Sequence, residues 1–555
     1  MKTFLQSLRT LRRLYGTPAQ AKHAASKLWH VFRTEGLDAV WRYSRKKVEQ
    51  PYLRYDETRR PLTAEEDVTG YRKWLALKSP LPVPHVDTST ILIIVVTGVA
   101  DSPDRIRETV GAYKEDSRPR VVCITKPSDI SSILLSASEQ WFMMLSVGDQ
   151  LLPGAVEQMT HLAESTGAQV VYANHDHLGA DGQPERPYFK PSFRPRLVFE
   201  QPSYLGPCLI NTEHGIAVFR SYHAESSAEC CAAAALTAGR VEHVNEILVR
   251  LSAAEPVITS GVLARLSEAT GRSAMIVVRP DGLPRVRWKP TGSLPKVSII
   301  IPFRDRPDLL SRLLSGLSDT QYPSMEVILV DNGSRLQATH HLIHKKQYVV
   351  IHDDGDFNFP RLIDRGVQAA TSDVILLLNS DMGIVSDNWL TEMVLELMQP
   401  GVGAVGPMLT YPDGTVQHAG IVLGMGGVAG HAYKHYDSWE PGYHGELQCA
   451  RECSAVTGAC LLTTKRVYDE VGKLDVKLPV NYNDVAYCVR LVERGYRVVI
   501  TPHSRVLHYE SQSRRPIVYP HEIHAYNTIV GRAHDKYYPS DLALKEPGFE
   551  FTLEP

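Results

Sequence analysis

Short aliphatic runs recur along this chain and stop abruptly in polar residues. "VILLL" (374–378) gives way to Asn379-Ser380-Asp381, and "FMML" (142–145) to Ser146-Val147-Gly148-Asp149. Between such runs lie stretches with apolar residues at three- and four-residue spacing, the mark of amphipathic helices. From Thr90 to about Ala254 the pattern predicts strand "TILIIVV", helix "SPDRIRETVGAY", strand "RPRVVCIT", strand "QWFMMLSVGD", helix "LPGAVEQMTHLAEST" and strand "AQVVYANHD". It then restarts. "LPKVSIIIPFRD" is a strand, "RPDLLSRLLSGL" a helix with Pro307 near its start, and "MEVILVDNGS" and "QYVVIHDDG" are strands. "FPRLIDRGVQAA" is a helix, "SDVILLLNSD" a strand, and "SDNWLTEMVLELM" a helix capped by Ser386 or Asp387. Alternation of this kind predicts an α/β protein with mostly parallel sheets covered by helices. The restart predicts one internal duplication of roughly 200 residues, far longer than a solenoid repeat.

The first 80 residues read as helices. Leu5, Leu8, Leu11 and Tyr15 fall near a helical period, with Arg9, Arg12 and Arg13 between them, and Trp29, Phe32, Trp41 and Tyr43 follow. Residues 1–50 hold eleven Lys/Arg against three acids, although the whole chain has a formal net charge of −2. A basic amphipathic helix with aromatics suits an anionic lipid surface. A helix packed on the next domain with a solvated basic face gives the same pattern. "KSPLPVPHVD" (78–87) reads as a linker. The expected domains are 1–85 (basic helical segment and linker), 86–290, 291–540 and a tail at 541–555.

The longest apolar stretches fall short of the roughly 18 residues a membrane span needs. The N-terminus has no apolar signal-peptide core. The expected location is therefore cytoplasmic, with peripheral binding to the inner membrane face as an extension. Eight cysteines form no CxxC pair, which suits buried thiols in a reducing compartment. Cys449 and Cys453 fit no standard zinc spacing.

Candidate chemistry sits where the second set of strands ends: Arg304-Asp305, Asp331-Asn332-Gly333-Ser334, Asp353-Asp354 and Asn379-Ser380-Asp381. In open α/β sheets ligands bind outside these carboxyl ends. Four carboxylate-bearing ends in one sheet suggest a polar, cation-assisted site. No GxxxxGK occurs, and no GxGxxG follows the first strand, which argues against a P-loop NTPase or a dinucleotide dehydrogenase. Nothing resembles a motif that reads nucleic acid.

The runs "KVSIIIPFRDRPDLL", "EVILVDNGS", "DVILLLNSDMGIVSDNWL", "VGAVGPMLTYPDGTVQHAGIVLG", "GGVAGHAYK", "SAVTGACLLTTKRVYDEVGKLD", "NDVAYCVRLVERGYRVVITP" and "VLHYESQSRR" stand in order over residues 296–515. Together they resemble the family 2 glycosyltransferases of GT-A fold, and among them bacterial enzymes of O-antigen and related polysaccharides, rhamnosyltransferases included. The resemblance implies an inverting transferase that uses a nucleotide sugar, dTDP-rhamnose or a UDP-sugar, with a glycan or lipid-linked glycan as acceptor. It implies donor contacts at Pro302, Arg304, Asp305, Asp331 and Asn332, with Asp331 facing a pyrimidine N–H. It implies Asn379 and Asp381 at the diphosphate, with Asp381 and His508 holding Mn²⁺ or Mg²⁺. Asp484 matches the general base, and Arg514 and Arg515 lie where a loop could close on phosphate. His418 and His431 fall in glycine-rich turns that could line the sugar or acceptor pocket. Two departures stand out: Ala486 replaces a second carboxylate, and Ile363-Asp364 replaces amides, which leaves the donor contact at Asp364 in doubt.

Residues 90–252 resemble a decayed copy of the same domain through "YANHDHLGADGQPERPYFKPSFRPRL". There the acidic motif survives only as Asp149, the base position offers Glu229 at best, and Arg250 stands at the metal histidine. This half reads as catalytically inactive, a scaffold, acceptor surface or dimerisation unit, which leaves a homo-oligomer open; the rival reading is a second, unusual transferase domain. The alternative for the whole chain is a non-catalytic carbohydrate-binding or assembly protein with two transferase-like modules.

Overall fold

The computed structural model describes residues 68–78, 82–97, 119–220, 226–252, 260–279, 283–290, 292–344, 348–509, 520–531 and 534–544, with a few single positions between them. The helices expected before residue 68 and over 102–113, and both arginines 514 and 515, lie outside the described residues.

The first sheet is built from β1 (Ile91–Val96), β2 (Arg120–Ile124), β3 (Trp141–Ser146), β4 (Gln150–Leu151), β5 (Val170–Leu178), β6 (Pro184–Tyr188), β7 (Cys208–Asn211) and β8 (Val241–Leu251). Its order is β2-β1-β3-β7-β5-β8-β4, with β6 on β5. A hairpin follows, β9 (Ala274–Val278) with β10 (Pro284–Trp288). The second half contributes β11 (Val297–Phe303), β12 (Met325–Asp331), β13 (Val349–His352), β14 (Val374–Leu378), β15 (Met382–Ile384), β16 (Val402–Thr410) and β17 (Val416–His418). It continues with β18 (Ile421–Leu423), β19 (Ala429–His431), β20 (Arg451–Glu452), β21 (Cys460–Thr464) and β22 (Arg497–His508). The second sheet runs β13-β12-β11-β14-β21-β16-β22-β15, with β17 on β16 and β20 on β22, and β18 pairs with β19 apart from it.

Without β13, the second order reproduces the first strand for strand. The directions agree as well. β1 is parallel to β2 and β3, as β11 is to β12 and β14. β3 and β5 flank β7 antiparallel, as β14 and β16 flank β21. The duplication read from the hydrophobic pattern is thus a duplication of topology, and the α/β class is as expected, although each sheet is mixed.

The alternation of a strand's side chains builds the two layers over β11. Ile299 and Ile301 pack with Leu310, Leu313 and Trp389 on one face, while Ile300 packs with Leu362, Ile363 and Val367 on the other. Full burial of such a side chain stabilises by about 1.5–3 kcal/mol. The helix expected to be capped by Ser386 or Asp387 starts later, at Trp389, with Asn388 at its N-cap and no side-chain cap bond. Asp387 is engaged elsewhere: its carbonyl accepts from Gln321 N (3.0 Å) and its carboxylate from Gln321 Nε2 (3.3 Å).

Buried charge joins the halves. Arg196 donates through Nε and Nη2 to Glu396 (2.8 and 2.7 Å) and through Nη2 to Glu200 (2.7 Å). Glu200 also meets His503 Nε2 (2.9 Å), and Arg194 meets Glu446 (2.8 Å).

Candidate active site

β14 is fully buried and delivers Asn379, Ser380 and Asp381 at its carboxyl end. Asn379 N donates to Ala459 O (2.9 Å), which ties this strand end to the turn before β21. Asp381 precedes β15, whose Met382 pairs with His508 at the end of β22. Tyr509 N donates to Asp381 O (2.9 Å). Strand pairing therefore brings the two side chains together, with His508 Nε2 3.4 Å from Asp381 Oδ1. Both residues are buried, and His508 Nδ1 has no hydrogen-bond partner among the described residues. A separation of 3.4 Å is long for an N–H···O bond. It is close to the spacing of adjacent ligands on an octahedral ion, about 3 Å for bonds of about 2.1 Å. A carboxylate oxygen and an imidazole nitrogen so placed fit Mg²⁺ or Mn²⁺ as two of its ligands. Among the described residues no group of three or more His, Cys, Asp or Glu side chains gathers around such a point. The remaining ligands would come from phosphate and water, the usual habit of Mg²⁺.

Asp484 is the second residue of the helix Asn483–Glu493, inside its first turn rather than at its N-cap, which is Tyr482 at φ 62°. Its Oδ1 accepts from Val485 N (2.9 Å) and its Oδ2 from Gly458 N (2.7 Å). Burial raises its pKa, while the Gly458 and Val485 N–H groups and the Thr457 hydroxyl pull the other way. Space is tight beside it: a Cβ on Gly458 would lie 3.3 Å from Asp484 Cβ and 3.4 Å from Phe359 Cε1. The turn 457–459 thus links Asp484 to the strand end that carries Asp381. Sequence reading missed this turn; its only signal was the small pair "TG" before "ACLL".

The residues expected to contact a nucleotide lie at the carboxyl ends of β11 and β12. Pro302 is buried within β11 opposite Val330, and Arg304 is exposed. Asp305, at φ 53°, accepts from Arg335 N (2.8 Å) and Leu336 N (2.9 Å). Desolvation pushes its pKa up, but these two N–H groups outweigh it and hold the pKa low. Asp331 Oδ1 accepts from Ser334 N (2.9 Å), and its Oδ2 lies 3.3 Å from His352 Nδ1. Asn332 Nδ2 donates to Asp353 O and Gly355 O (2.9 and 2.8 Å), while its Oδ1 is buried without a partner among the described residues. These contacts hold the loops, so Asp305 and Asp331 have structural partners beside any ligand. Asp364 pairs with Lys473 (2.7 Å) and accepts from Gln368 (2.9 Å). Cys449 and Cys453 are buried, and burial pushes their thiols up to about 11 and about 12.

The first sheet places the same positions in the same register. Gln150 pairs with Arg250 as Met382 pairs with His508. Asp149 and Arg250 therefore correspond to Asp381 and His508. Asp149 accepts from Ser146 N (2.9 Å) and Ser252 N (3.1 Å), and burial lifts its pKa to about 6. Arg250 makes two 2.9 Å bonds to Asp176, which also accepts from Tyr71 OH (2.6 Å). A guanidinium has no lone pair for a metal. The helix Ser227–Thr237 stands where Asn483–Glu493 stands in the other half, and its Glu229 is bound by Arg265 (2.6 and 2.9 Å) and Tyr222 OH (2.7 Å).

Residues 298–472 match the family model for glycosyl transferase family 2. The O-antigen biosynthesis protein RfbC of Myxococcus xanthus is 30% identical over 485 residues, which cover 81% of this chain and 38% of that protein. An N-acetylglucosaminyl-diphospho-decaprenol L-rhamnosyltransferase of Mycobacterium tuberculosis is 24% identical over 231 residues, 37% of this chain and 73% of that protein. This chain spans well under half the length of the first two curated relatives it matches, 38% and 28%. Among solved structures, a mannosyltransferase from Pyrobaculum calidifontis in complex with GDP-Man and Mn²⁺ aligns at TM-score 0.29 and 15% identity, covering 40% of this chain and 60% of that one.

Proposed function

We propose that this chain, whose residues 298–472 are a family 2 glycosyltransferase domain, moves a sugar from a nucleotide-sugar donor to a glycan or lipid-linked glycan in cell-surface polysaccharide synthesis. One observation carries the reading: β14, β15, β21 and β22 hold the Asp381–His508 pair and tie it through the turn 457–459 to a buried, proton-avid Asp484. The relatives' names support the choice of glycan.

In this reading the acceptor hydroxyl gives its proton to Asp484. Its oxygen attacks the anomeric carbon as the bond to the diphosphate oxygen breaks. The nucleoside diphosphate leaves with the bonding pair, and the configuration inverts. Asp381 and His508 would hold the divalent cation, which supplies charge neutralisation at the departing diphosphate. The rim of Pro302, Arg304, Asp305, Asp331 and Asn332 would hold the nucleotide, dTDP or UDP. In the first half the corresponding groups are each engaged by other residues, Asp149 by Ser146 and Ser252, Arg250 by Asp176 and Glu229 by Arg265 and Tyr222, which supports an inactive, supporting role. The basic N-terminal segment would dock the enzyme on anionic lipid. No helix among the described residues is long and apolar enough to cross a membrane.

The test is a panel of nucleotide sugars incubated with the full chain and Mn²⁺. Turnover of one donor, absent in EDTA, is the expected result. No turnover of any donor, with no thermal shift by any nucleotide, would favour the non-catalytic assembly reading instead.

A further inference from the structure

We propose that His418 is a positioning residue for Asp484, holding the turn 457–458 through a neutral imidazole of fixed tautomer; this rests on the transferase reading above. β17 ends at His418, which is fully buried, and β19 ends at His431. Their Nδ1 atoms lie 2.9 Å apart, with the rings at 86°. The other nitrogen of His418, Nε2, accepts a long hydrogen bond from Thr457 N (3.4 Å), whose N–H is directed at it. A backbone N–H can only donate, so Nε2 must offer a lone pair. The single proton of a neutral ring then sits on Nδ1 and is donated to His431 Nδ1. A second proton would set His418 against the Thr457 N–H, donor to donor. Burial, together with the charges of His431, Arg451 and His508, holds its pKa well below the usual value, which keeps the ring neutral.

The consequence travels along the chain. His418 fixes Thr457 N, and the next N–H, that of Gly458, donates to Asp484 Oδ2 (2.7 Å). Thr457 Oγ1 accepts from Ala459 N (3.3 Å), and Ala459 O accepts from Asn379 N (2.9 Å). One imidazole therefore orders a three-residue turn that meets the base at one end and the Asn379 strand end at the other. His418 acts through Asp484 and is not itself the base.

Three variants of the full chain separate the contacts. His418→Gln keeps an acceptor near the Nε2 position, His418→Asn keeps only a donor near Nδ1, and His418→Ala keeps neither. For the nucleotide sugar that the wild type turns over, kcat is expected to fall by up to ~100-fold in H418A and H418N, the scale of a misplacement of about 1 Å. Donor KM stays near wild type, and H418Q recovers most of the loss. In H418A the acid limb of the pH–kcat profile moves to higher pH, because Asp484 loses an N–H donor that holds its pKa down. Hydrogen exchange of the amides at 457–459 should quicken in H418A and stay slow in H418Q. Wild-type kcat and pH profile in H418A, unchanged amide protection in H418A, or no advantage of H418Q over H418N would each overturn the proposal. If H418A does not fold, the contrast between H418Q and H418N decides alone. If the wild type turns over no donor, the transferase reading falls, and amide exchange still decides whether His418 holds the turn.

Discussion

Asp484 is under two opposed demands. Burial makes its carboxyl hold a proton above the ordinary range, near 3.9 for an aspartate. A base works only when ionised, so kcat is expected to fall as pH drops through that raised value, with an acid limb above that of a solvated aspartate. For stability the sign reverses. The folded chain binds this proton more tightly than the unfolded chain does. Ionised Asp484 therefore destabilises the fold fully above its folded pKa and not at all below its unfolded one. Asp484→Asn is accordingly expected to cut transfer by at least ~100-fold, the lower end of what a general base supplies. Its Tm at pH 8 should equal or exceed that of the wild type, and the two should converge towards pH 4. Near-normal transfer would remove Asp484 from the base role; a lower Tm at pH 8 would mean the Gly458 and Val485 bonds outweigh desolvation. Asp381→Ala tests the other centre. Mn²⁺ binding, read by electron paramagnetic resonance, should weaken at least ~10-fold, since Asp381 is one of the two side chains proposed to hold the ion. Unchanged affinity, or full activity of the wild type in excess EDTA, would sink the metal assignment.

Elements were the most legible level, because a buried strand and an amphipathic helix each write a period into the sequence. β11, β12, β14 and the helix Phe359–Ala369 fall where "SIIIPF", "VILVD", "VILLL" and "FPRLIDRGVQA" predict them. That helix lies directly on its strand at Gly366, where a Cβ would run into Ile300 Cγ2. Gly366→Ala gains helix propensity but must push the helix off β11. It is expected to destabilise by about 1–3 kcal/mol, the usual cost of overpacking, measured by urea denaturation. A neutral or stabilising result would mean the helix can shift freely. Strands of two or three residues, such as β15, β17 and β20, carry too few positions for a period and were not visible. The start of the helix at Trp389 was misplaced because Asp387 reaches across to Gln321, a partner 66 positions away. The candidate site divides the same way. Asp381 stood at a strand end that the hydrophobic pattern exposed, and Asp484 at a position that the family resemblance exposed, whereas the bond from Thr457 N to His418 joins residues 39 positions apart.

At the scale of the whole molecule, two copies of one topology have been fitted with different side chains, and the joint between them was invisible in the sequence because its partners lie 200 and 303 positions apart. Arg196, Glu200 and Glu396 are buried together across that joint, and the half-buried His503 joins them through Glu200. Breaking one buried pair by removing a partner costs about 3–5 kcal/mol, since the other charge is left stranded. Arg196→Ala is therefore expected to lower the stability of the full chain by that order, read by chemical denaturation; a loss below about 1 kcal/mol, the worth of a surface ion pair, would mean that water reaches the joint. The same asymmetry of side chains predicts a single catalytic centre. Asp149 and Asp381 occupy matching positions, but Asp149 is saturated by Ser146 and Ser252, and its neighbour Arg250 is spent on Asp176. Asp149→Asn should leave donor turnover and Mn²⁺ dependence as in the wild type, and Asp381→Asn should abolish both. Because Asp149 is held near pKa 6 by burial, its substitution also removes a desolvated charge at neutral pH, so folding should not mask the comparison. Equal losses in the two variants would overturn the division of labour, since they would require each half to carry part of the chemistry.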